Sequence, residues 1–94
     1  MGVLQRIRRR IIDRKYYLSI HAEEEMWADG FERKDFENAI LKGRIQKKLT
    51  QNARGTRYRI EGPTIDGRLI HVICRFNEKS ELLIITVYAL VVRE

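Results

Sequence analysis

Near the middle of this chain, at Arg44, the spacing of apolar residues changes from helical to alternating, and that switch restricts the possible folds more than any other feature. Beyond it, candidate strands cover residues 45–50, 57–62, 68–76 and 81–91. The intervening stretches 52–55, 63–67 and 77–80 all contain turn formers. Consecutive strands with short connections imply an antiparallel meander. Helices that precede such a sheet in sequence are expected to cover one of its faces. The expectation is therefore an α+β layer, with two or three N-terminal helices on one face of a four-stranded antiparallel sheet.

Before the switch, Leu4, Ile7 and Ile11 recur at helical spacing with Arg6, Arg9 and Arg10 mostly on the other side, which predicts an amphipathic helix over residues 2–14. Two readings suit it, a docking helix with a solvated cationic face or an arm that contacts phosphate or lipid. Tyr16, Tyr17 and Leu18 read as an extended connector. Ser19 then caps a second helix that runs to Asp29 and ends at Gly30, with Ala22, Met26 and, at the margin, Trp27 turned to the core. A third helix over residues 35–42 carries Phe36, Ala39 and Ile40 on one stripe and ends at Gly43. Its start is poorly signalled, because Glu32 stands where a short polar cap is expected.

Ninety-four residues make one domain, 1–94, with a basic first helix (1–15), a helical layer (16–43) and a sheet (44–94). Net charge is +5 over 1–15, −4 over 16–43 and +5 over 44–94. Such fields attract nucleic acid, acidic partners or anionic lipid. No apolar run approaches the ~20 residues of a membrane span and no signal-peptide core is present, so a cytoplasmic protein without membrane association is expected. Cys74 is the single cysteine, which excludes an internal disulfide and reads as a small core residue.

Side chains alternate across a strand, so parity sorts the sheet's faces. Tyr58 and Ile60; Ile70, Val72, Cys74 and Phe76; and Leu83, Ile85, Val87 and Ala89 are expected under the helices. The open face then collects Arg57, Arg59 and Glu61; Leu69, His71, Ile73 and Arg75; and Leu82, Ile84, Thr86 and Tyr88. Cleaving RNA requires a group that deprotonates the 2′-hydroxyl, cations that stabilise the phosphorane and a proton donor for the leaving oxygen. His71, Tyr88 and the arginines have that chemistry. Each also has a structural reading: His71 as a hydrogen-bonded strand residue, the arginines as partners of Glu61 or a solvated face, Tyr88 as packing. His21 and Glu25, four apart on one helical face, suit either half a metal site or a helix-stabilising hydrogen bond. No P-loop, dinucleotide fingerprint or serine nucleophile motif is present, and no cofactor or metal is expected.

The run Tyr17-Leu-Ser19-Ile-His21-Ala22 followed by Met26 leads a series of short motifs. It continues through Asp35-Phe-Glu37, Leu41-Lys-Gly43, Arg57-Tyr58, Gly62, Asp66-Gly67-Arg68, His71-Val72 and Ile84-Ile85-Thr86-Val-Tyr88. As a set these resemble the domain of unknown function 4258 family over residues 16–90. The resemblance implies a layout similar to the BrnT and RelE toxins of bacterial toxin–antitoxin pairs, small basic ribonucleases whose helices pack on a sheet with an RNA-cutting open face. It marks Ser19, His21, Arg57, Arg68 and Tyr88 as recurrent polar positions. Glu25 departs from it, standing where an arginine is common, and Glu32 stands at an expected Ser or Thr cap. The resulting expectation is an RNA-binding, metal-independent endoribonuclease with His71, His21, Tyr88 and Arg57 catalytic and Arg57, Arg59, Arg68 and Arg75 holding nucleic acid. The competing readings are a non-catalytic module that docks nucleic acid or an acidic protein on the basic face, and an inactivated toxin relative. RNA and an antitoxin are the implied partners, and the long apolar stretch 82–92 suggests a homodimer paired at a strand edge.

Overall fold

The computed structural model describes residues 2–50, 53 and 55–90. Three helices, α1 (Val3–Ile12), α2 (Ile20–Asp29) and α3 (Arg33–Lys42), accompany strands β1 (Tyr16–Leu18), β2 (Arg44–Leu49), β3 (Arg57–Pro63), β4 (Leu69–Phe76) and β5 (Leu82–Ala89). The α+β class holds, and the sheet has one strand more than expected. Its order is β1-β5-β4-β3-β2, antiparallel except that β1 runs parallel to β5. The stretch read as a connector is therefore an edge strand, pairing Tyr16 with Leu82 and Leu18 with Ile84. Three residues are too few to display a period of two, so only the partner reveals the strand. With β4 on one side and β1 on the other, Leu82–Ile84 of β5 lie inside the sheet rather than at its edge. Asn52, Val91 and Val92, included in the sequence expectations, lie outside the described residues.

All three helices contribute apolar residues to one core. Ile7 and Ile11 of α1, Ala22 and Met26 of α2, and Phe36, Ala39 and Ile40 of α3 meet Ile60, Ile70, Val72, Cys74, Leu82, Ile84 and Val87 of the sheet. The α1 helix is a docking helix: Arg8 donates from Nε to Ile40 O (3.0 Å) and from Nη2 to Gly43 O (2.8 Å), satisfying carbonyls at the end of α3. Where α3 crosses β3 the backbones touch. A Cβ at Gly62 would overlap the Ala39 carbonyl, and one at Gly43 would overlap the carbonyls of Glu61 and Ala39, so both positions require glycine. Cys74 is fully buried, and burial pushes its thiol up to about 12, which leaves it an inert core residue.

Two sequence expectations change here. The α3 helix starts at Arg33 rather than 35, where Glu32 and Asp35 form a capping box: Asp35 Oδ2 accepts from Glu32 N (2.9 Å) while its Oδ1 accepts from Ile65 N (3.2 Å). Trp27, assigned marginally to the core, is 90% exposed on the outer side of α2.

Candidate functional site

The open face of the sheet follows from strand parity and one irregularity. On β3 and β4 the parity is as read, with Glu61 opposite His71 and Arg59 opposite Ile73. On β5 it holds from Thr86 to Ala89 and fails before them. Ile73 pairs with Thr86 but Cys74 pairs with Ile84, so Ile85 is an extra residue, a β-bulge. The bulge inverts the first half of the strand: Leu82 and Ile84, assigned to the open face, are fully buried, and Leu83 falls opposite Arg75. Alternation cannot anticipate an inserted residue, because Leu82–Ile85 is apolar on both parities.

The same bulge explains the Ser19 motif. Beyond Leu18 no strand continues along β5, and the start of α2 supplies the hydrogen bonds instead. Ser19 N donates to Ile84 O (2.9 Å), Ser19 Oγ donates to Ile85 O (2.8 Å) and Glu25 Oε1 accepts from Val87 N (3.2 Å). Ser19 Oγ also accepts from Ala22 N (3.0 Å), capping the helix. His21 Nε2 lies 3.3 Å from Glu25 Oε1 and its side chain is 66% exposed. His21 is thus the outer member of a clamp on β5, and no contact among the described residues joins it to His71. Among those residues no third His, Cys, Asp or Glu stands with His21 and Glu25.

Across the open face runs a row of polar side chains drawn from four strands. Tyr88 Oη lies 2.9 Å from His71 Nδ1, His71 Nε2 lies 3.1 Å from Glu61 Oε1, and Arg44 Nη2 donates to Glu61 Oε2 at 3.1 Å. The tyrosine and imidazole rings meet edge to face, 5.2 Å between centroids. Cross-strand register produces this: β4 places His71 between Glu61 of β3 and Tyr88 of β5, and β2 places Arg44 opposite Glu61. The His71 N–H, followed by the Arg44 guanidinium, holds the Glu61 carboxyl below its ordinary range despite an opposing contribution from desolvation. An ionised carboxylate only accepts, so Nε2 carries the proton, and in the neutral imidazole Nδ1 accepts from the Tyr88 hydroxyl. With only 9% of its side chain exposed, His71 is the buried centre of the row, Tyr88 is half-buried beside it and Arg44 is its exposed end.

The predicted cations divide into three places. Arg59 is next to the row, two residues from Glu61, its Nε donating to Gln46 Oε1 at 2.7 Å. Arg57 is four residues from Glu61, roughly 13 Å along the strand, so it does not share one phosphate-sized spot with His71 and Tyr88. Continuing the register beyond the Tyr58–Cys74 pair sets Arg57 beside Arg75. Among the described residues, Arg57 Nε is a buried donor without an acceptor. A groove of about 490 Å³ opens at that end, lined by Arg75, Asn77, Lys79 and Glu81 among others. Arg68 belongs to neither group. It sits in the β3–β4 turn, where its N donates to Thr64 Oγ1 (2.9 Å), its Nε lies 3.4 Å from Asp66, and its guanidinium stacks 4.5 Å from the Phe31 ring on the helical side. Thr64, whose hydroxyl donates to Asp66, and then Arg68 hold the Asp66 carboxyl low.

Arg44 and Glu61 are the members that sequence reasoning underrated. Arg44 was the point of the period change and lay one residue outside the expected strand. Glu61 was read only as a neutraliser of arginines, although its place opposite His71 could have been found by aligning the two strands about the 63–67 turn.

A family model described as Domain of unknown function (DUF4258) matches residues 18–89. No curated protein and no solved structure matches the chain.

Proposed function

We propose, for a chain that belongs to the domain of unknown function 4258 family, that the open sheet face binds RNA and cleaves it with its own side chains, as an endoribonuclease of toxin–antitoxin type. The observation that carries this reading is the row Tyr88–His71–Glu61–Arg44, in which a half-buried phenol is joined to an imidazole whose far nitrogen is fixed by a carboxylate. In such a row Tyr88 takes the 2′-hydroxyl proton as its own passes to His71 Nδ1, and Glu61 stabilises the imidazolium formed. The 2′-oxygen attacks phosphorus, and the relay in reverse returns a proton to the leaving 5′-oxygen. Arg59 lies where charge develops on the phosphorane, while Arg57 and Arg75 hold phosphate further along the strand. An anionic oxygen at Arg57 would supply the missing acceptor for its Nε. An antitoxin would compete for this cationic face. The mechanism assigns no chemical role to His21 or Arg68.

The burial of His71, with both ring nitrogens engaged, favours one other reading: a strut between strands in a face that only binds. Incubating RNA in EDTA with wild type, Tyr88→Phe and His71→Ala, each checked for native melting, separates the two. Cleavage predicts discrete 5′ ends that disappear in Tyr88→Phe at nearly unchanged RNA affinity. Intact RNA bound equally by all three proteins would make this a binding module. In either case Arg57→Ala and Arg75→Ala should each weaken binding and lower the salt slope by about 1.

A further inference from the structure

We propose that the outer face of α2 is a docking site for a cationic amphipathic segment of a partner protein, with Trp27 as its anchor. The helix buries Ala22 and Met26 and turns Ile20, Glu23, Glu24 and Trp27 outward, a spacing of 0, 3, 4 and 7 that forms one stripe. Trp27 is 90% exposed and Ile20 76%, the two most exposed large apolar side chains among the described residues. Beside the stripe a groove of about 480 Å³ is walled by Leu18, Met26, Trp27 and Phe31, with Glu23 and Glu32 on its rim. Arg33, also at this groove, points its guanidinium over the Tyr16 ring at 5.8 Å.

Charge selects the occupant. Residues 16–43 carry −4 in a protein that is +5 on either side of them, so this apolar stripe lies in the chain's acidic segment. Nucleic acid and anionic lipid are repelled from it. A segment with Lys or Arg flanking an apolar side chain satisfies both features, its cations meeting Glu23, Glu24 and the face of the indole, and its apolar residue entering the groove. The site uses nothing from the open sheet face, so it stands whether or not the RNA reading does.

Trp27 is the only tryptophan, and its emission reports occupancy directly. The probe is a synthetic Leu/Lys amphipathic peptide, titrated into the full chain beside an all-Lys peptide, a Leu/Glu peptide and anionic phospholipid vesicles. The expected result is a saturable blue shift with the Leu/Lys peptide alone, weakened by salt. Calorimetry should show binding roughly 30-fold weaker in Trp27→Ala and lost in a Glu23→Lys/Glu24→Lys variant. Both variants change outward side chains, and unchanged melting verifies their folds. Unmoved emission, equal affinity in Trp27→Ala, or comparable binding of the Leu/Glu peptide or vesicles would overturn the proposal. Concentration-dependent dimerisation that Trp27→Ala abolishes would also overturn it, by assigning the face to a second copy of this chain.

Discussion

Replacing Ser19 by alanine should destabilise the fold by about 2 kcal/mol, because one hydroxyl performs two tasks at the junction of β1, α2 and the β5 bulge. Its oxygen accepts from Ala22 N at 3.0 Å, a helix cap worth about 1 kcal/mol. Its proton goes to Ile85 O at 2.8 Å, on the extra residue of the bulge, and losing that partner costs about 1 kcal/mol more. For a domain of this size the sum lowers Tm by roughly 8–16 °C in thermal unfolding followed by circular dichroism. Two further variants separate the tasks. Ser19→Thr keeps donor and acceptor and should stay close to wild type. Ser19→Asp keeps the cap but sets a carboxylate against the Ile85 carbonyl, so it should fall at least about 1 kcal/mol below wild type, the share of the lost donor. A Ser19→Ala protein within about 0.5 kcal/mol of wild type would refute the clamp. An Asp variant as stable as wild type would refute the role of the bond to Ile85.

Two other perturbations test the remaining architecture. Gly62→Ala places a methyl group into the Ala39 backbone, where neither α3 nor β3 can yield, and should cost about 3 kcal/mol or prevent folding, read by denaturant titration. Glu61 titrates lower in the folded chain than its ordinary value of 4.5, so its ionised form contributes stability that is complete above that value and is lost as pH falls through the lowered one. The stability difference between wild type and Glu61→Gln should therefore shrink below about pH 4.5 in acid titrations, and a constant difference down to pH 3 would contradict the pairing with His71.

Glu25 shows how a motif can be read correctly and understood only in three dimensions. Judged by the resemblance it merely stood in place of an arginine, whereas its carboxylate receives the Val87 amide and orients His21. The recurrent Ser19 and His21 belong to the same clamp, and Arg68 to a turn that braces Phe31. These residues were all legible as marked positions. Their roles were not, because each role depends on a partner at least 37 residues away or on a neighbouring turn.

By itself the sequence determined the class of the fold, the bounds of most elements, and the cationic open face with His71 and Tyr88 both on it. Those follow from period, charge and parity, which are local properties of a chain. Tertiary structure decided that Tyr16–Leu18 joins β5 as a fifth strand, that a bulge at Ile85 turns Leu82 and Ile84 inward, that Trp27 faces out, and that Arg57 stands apart from His71. Register and exposure depend on which backbone lies alongside, and a three-residue strand or a single inserted residue leaves no periodic trace from which that neighbour could be read.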